Sequence, residues 1–86
     1  MARRIFKYQL PTSLGGRLQI PSGATIVHVA LQNKVPCLWA IVQDDALVEV
    51  RFFMIFGTGH ALPTDVEYVG TFQDSPFVWH LFERSV

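Results

Sequence analysis

The chain is poor in the features that most chemistry needs. Its 86 residues contain one cysteine, Cys37, so no disulfide can form within it. The apolar setting of that thiol, VPCLWA, reads as a buried cysteine of a reducing compartment. Charge is also scarce: 16% of residues are charged, against about 25% in ordinary globular chains. Lys+Arg and Asp+Glu both total 7, so there is no basic excess of the kind that holds phosphate backbones, and duplex nucleic acid is excluded as a partner. No apolar run approaches the roughly 20 residues of a membrane helix, and the start, MARRIFKYQL, lacks a signal-peptide core. No membrane association is expected, and a cytoplasmic protein is.

What is abundant is apolar: 50% of residues are hydrophobic. A domain of this size has little interior in which to hide them. Some must line a pocket or an interface, and a homo-oligomer is expected.

The periodicity is that of strands throughout. Phe6, Tyr8 and Leu10 alternate with Ile5, Lys7 and Gln9 until Pro11. Leu18 and Ile20 form a short second strand between Gly15-Gly16 and Pro21. Residues 25–32 are β-branched and turn at Asn33-Lys34 into a partner strand over 36–43. After Asp44-Asp45 comes a long strand, 46–56, with Val48, Val50, Phe52, Met54 and Phe56 on one face. Its other face changes from polar (Glu49, Arg51) to apolar (Phe53, Ile55), so one end is expected to be covered on both sides. Strands over 66–73 and 77–84 close the chain. One all-β domain over residues 1–86 follows: a small antiparallel sandwich or partly open barrel of about six to seven strands.

The densest candidate site is the turn that ends the long strand, Gly57-Thr58-Gly59-His60. Backbone N–H groups of such a turn can nest an anion, and His60 can donate to it. The alternative is a plain tight turn in which His60 caps a backbone carbonyl. Arg51 can clamp an anion through its guanidinium or sit in an ion pair. Trp39 and Tyr68 can stack on a base, although large aromatics are more often core. Trp79, in FVWHLF, invites the same caution. His28 and His80 read as hydrogen-bonded core or interface residues. The histidines lack metal-ligand spacing, so no metal is expected. There is no GxSxG elbow, Cys37 lies in an apolar strand, and Asp44-Asp45 diverge in a turn. Neither catalytic residues nor a cofactor is expected.

Five stretches, FKYQLP at 6–11, VPCLWA at 35–40, FGTGH at 56–60, EYVGTFQ at 67–73 and VWHLFE at 78–83, resemble a family of small uncharacterised bacteriophage and prophage proteins. The resemblance implies origin more than mechanism. It implies a counter-defence or accessory protein in the host cytoplasm. In one reading the Gly57–His60 backbone and Arg51 hold the phosphate of a nucleotide immune signal while Trp39 or Tyr68 stacks on its base. In another the chain binds a host protein through apolar residues such as Phe53, Ile55 and Phe82, or through an edge strand at 3–10. A third is a small virion or assembly component.

Overall fold

The computed structural model describes residues 2–85. The described residues form seven strands and no helix: β1 (Arg3–Gln9), β2 (Gly15–Pro21), β3 (Thr25–Gln32), β4 (Val35–Gln43), β5 (Val48–Gly57), β6 (Val66–Asp74) and β7 (Phe77–Arg84). They form two antiparallel sheets, ordered β1-β4-β3 and β2-β5-β7-β6, that face each other as a sandwich and do not close into a barrel. Among the described residues no helix is long and apolar enough to cross a membrane.

Alternation places the core. Leu38, Ala40 and Val42 of β4 point inward, with Val29 of β3 beside them. The four-stranded sheet answers with Ile20, Phe53, Ile55, Phe72 and Leu81. Because side chains alternate in a strand, Trp39 and Ile41 of β4 face away from this core. The same rule turns Phe52, Met54 and Phe56 of β5 outward.

The two apolar faces of β5 thus have separate causes. One is core. The other is a half-exposed aromatic strip built with its own sheet: the Phe56 and Tyr68 rings each meet Phe82 edge-on at 5.7 Å, and the Arg84 guanidinium lies 4.6 Å over Phe52. Among the described residues no second sheet covers it.

Two bulges escape the sequence pattern, one between Ile26 and His28 and one between Tyr68 and Gly70. The second sits where β6 packs on Val29 of β3. A Cβ on Gly70 would meet Val29 Cγ2 at 2.7 Å. Hydrogen there is what lets β6 lie against β3.

Candidate functional site

Four connections gather at one end of the sandwich: the β1–β2 loop, the Asn33-Lys34 turn, the Gly57–His60 turn and the β6–β7 turn. Two clefts open there with Trp79 as a shared wall. The larger, about 500 Å³, lies between Gly57, Thr58 and His60 on one side and Pro76, Phe77 and Val78 on the other. The smaller, about 170 Å³, is lined by Leu14, Leu31, Lys34, Pro36, Phe72 and Asp74. Only the larger falls in the range of roughly 300–1,000 Å³ in which small-molecule sites occur.

The turn is shaped by its own hydrogen bonds. The His60 N–H donates to the Gly57 carbonyl at 3.1 Å. The Gly57 N–H donates to His60 Nδ1 at 3.2 Å. The imidazole therefore accepts from the backbone rather than capping a carbonyl. With Nδ1 as acceptor, the neutral ring carries its hydrogen on Nε2 and presents a donor. Gly59 completes the turn at φ 91°. Gly57 contributes space: a Cβ there would meet His60 Cε1 at 3.1 Å and Trp79 Cζ3 at 3.2 Å.

Thr58 begins a second feature. Its Oγ lies 3.4 Å from the Val78 carbonyl and 2.9 Å from His80 Nε2. His80 Nδ1 lies 3.0 Å from Thr71 Oγ, and Thr71 Oγ lies 2.8 Å from the Tyr68 hydroxyl. One assignment of hydrogens satisfies all of them. Tyr68 donates to Thr71, Thr71 donates to His80 Nδ1, His80 Nε2 donates to Thr58, and Thr58 donates to Val78. A polar line thus crosses the outer face of the β5-β7-β6 sheet and ends at the cleft.

The structure therefore brings Gly57, Thr58, Gly59 and His60 together and ties Tyr68 to them through Thr71 and His80. It separates the other two candidates. Trp39 stands on the outer face of the opposite sheet, its ring 5.2 Å from that of His28. Arg51 lies six residues down β5 from Gly57, about 20 Å in an extended strand. Three of its five N–H donors are engaged: Nε with Glu83 Oε2 at 2.6 Å, Nη2 with Glu83 Oε1 at 2.7 Å and Nη1 with the Ala24 carbonyl at 2.6 Å. The hydrogen bonds to Glu83 foremost, with the charges of Glu83 and Glu49, raise its pKa above the ordinary arginine value against the opposing effect of burial.

Phe77 and Trp79 are what the sequence left ungrouped. Phe77 is 58% exposed and its ring centroid lies 5.9 Å from that of Trp79, tilted by 40°. The available signal was the i, i+2 spacing beyond the Pro76 turn, which puts both rings on one side of β7. Cys37 is fully buried, its thiol against the Val35 carbonyl at 3.4 Å. Among the described residues no three His, Cys, Asp or Glu side chains are grouped to hold a metal ion.

Over residues 1–86 the chain belongs to a family described as a domain of unknown function, DUF7352. No curated protein matches it, and no solved structure does.

Proposed function

We propose that this member of the DUF7352 family is a non-catalytic binding protein that captures a nucleotide-type small molecule in the cleft between the Gly57–His60 turn and Pro76–Trp79. One observation carries the reading. Two aromatic rings, Phe77 and Trp79, face an imidazole donor and a hydroxyl across a cleft of about 500 Å³. A planar base can lie on the rings, where stacking is worth about 1–3 kcal/mol per base. His60 Nε2 then donates to an acceptor on the ligand. Lys34, on the far side of Trp79, supplies a cation for phosphate.

Binding without turnover suits the groups at hand. Both nitrogens of His80 are occupied by hydroxyls. The Cys37 thiol is out of reach of a substrate. The likeness of the sequence boxes to small phage proteins gives the reading its biological form: sequestration of a nucleotide immune signal in the host cytoplasm.

The test is thermal unfolding of the protein against cyclic oligonucleotides and ADP-ribose derivatives. A true ligand at 100 times its dissociation constant stabilises the fold by about 2.7 kcal/mol, a shift of several degrees for a domain this small. Trp79→Leu should abolish the shift and Trp39→Leu should leave it intact. A panel with no shift, or equal loss in both variants, would overturn the assignment.

A further inference from the structure

Sheet edges are ordinarily guarded, because their unpaired backbone groups recruit other strands. Three of the four edges here are guarded by backbone devices. β3 and β6 carry the two bulges. β2 opens on Gly15 and Gly16 at positive φ and ends on Pro21. β1 has no bulge, glycine or proline over its seven residues, RRIFKYQ. It is also exposed on both faces, with Ile5 61% and Phe6 42% accessible.

The register shows which backbone groups are free. The Asp44 N–H donates to the Ala2 carbonyl and the Leu10 N–H to the Pro36 carbonyl, both at 2.9 Å. These two pairs bracket the β1–β4 ladder, which runs from Arg3↔Gln43 to Gln9↔Cys37. Hydrogen-bonded and non-bonded pairs alternate in an antiparallel ladder. Arg4, Phe6 and Tyr8 therefore bond to β4. Arg3, Ile5, Lys7 and Gln9 turn their N–H and C=O groups away from the sheet. Their side chains share one face, on which Arg3 and Lys7 bracket Ile5 in sequence, with the Lys7 ammonium laid back over β4 toward Gln32 of β3.

Charge identifies the occupant. β1 holds Arg3, Arg4 and Lys7 and no acid. Arg4 is paired with Asp44 at 2.7 Å. Lys7 donates to Gln32, a neutral partner. A second copy of the strand would bring three more cations and no acid to the seam. We propose that β1 is a docking edge for an extended acidic segment of another protein, which adds as a fourth strand beside it. Residues opposite Arg3, Ile5 and Lys7 lie about 5.5 Å away across the new ladder. The segment that fits reads acid–x–apolar–x–acid. Backbone bonds supply the affinity and the two acids the selectivity.

The experiment titrates a labelled peptide centred on Glu-Val-Leu-Val-Glu into the intact protein and follows amide exchange. The amides of Arg3, Ile5, Lys7 and Gln9 exchange quickly alone and become protected with peptide. Ile5→Pro deletes only an outward N–H, so the fold should persist while binding weakens about tenfold or more. Arg3→Glu combined with Lys7→Glu should reverse the preference toward a peptide with Lys in place of Glu; this arm stands even if Ile5→Pro unfolds. Four results would overturn the proposal: no binding by the acidic peptide, equal binding of both peptides, native affinity in folded Ile5→Pro, or protection of the four amides by self-association without peptide.

Discussion

His60 shows how much one residue's setting depends on a neighbour with no side chain. Its ring folds back because Gly57 leaves room and offers an N–H, and the sequence box Gly-Thr-Gly-His made that crowding legible. The partners of Arg51 were not legible, since Glu83 lies 32 residues away and no local pattern links them. Trp79 was equally opaque: its strand is apolar on both sides, so alternation alone could not assign the ring to core or cleft. Gly70 illustrates a third case, where the sequence shows a glycine in a strand and only packing tells why. Gly70→Ala should cost about 1–3 kcal/mol, because Val29 must move to admit the methyl group. Urea unfolding measures this, and an unchanged midpoint would mean that β3 and β6 can part without loss.

At the scale of elements the strands were readable almost to their ends, because the alternation is strong and Gly, Pro and Asp mark most of the turns. The bulges were not, since they arise from how strands twist against neighbours distant in sequence. The Asn33-Lys34 turn has both residues at positive φ, 52° and 65°. Lysine is poorly suited to that region, so Lys34→Gly should stabilise the hairpin by about 1 kcal/mol, seen as a higher urea midpoint with unchanged slope. The start of β1 hangs on Asp44, whose carboxylate accepts from the Ala2 N–H at 2.9 Å and from Arg4. The Ala2 bond first, then Arg4, holds its pKa below the ordinary 3.8. A lowered folded value means the contribution is present above 3.8 and lost as pH falls through the folded value. Protection of the Asp44 amide should therefore drop in that acid window, and Asp44→Asn should remove the pH dependence.

Across the whole molecule, the unequal sheets decide which surfaces stay open. Three strands face four, the sandwich measures 42 × 30 × 18 Å, and β1 is exposed on both faces. Composition already pointed to apolar groups beyond the capacity of a core, but could not say where they would go. They divide between an aromatic strip on β5 and β7, the cleft around Trp79 and the open edge of β1.

The two tryptophans stand on different sheets, Trp39 on β4 and Trp79 on β7. The molecule therefore carries two indole emitters, one beside a histidine and one in the wall of the cleft. Trp39→Phe leaves a single indole. Its emission should change when the cleft fills and stay constant when β1 takes a strand, so one spectrum distinguishes the two proposed binding events.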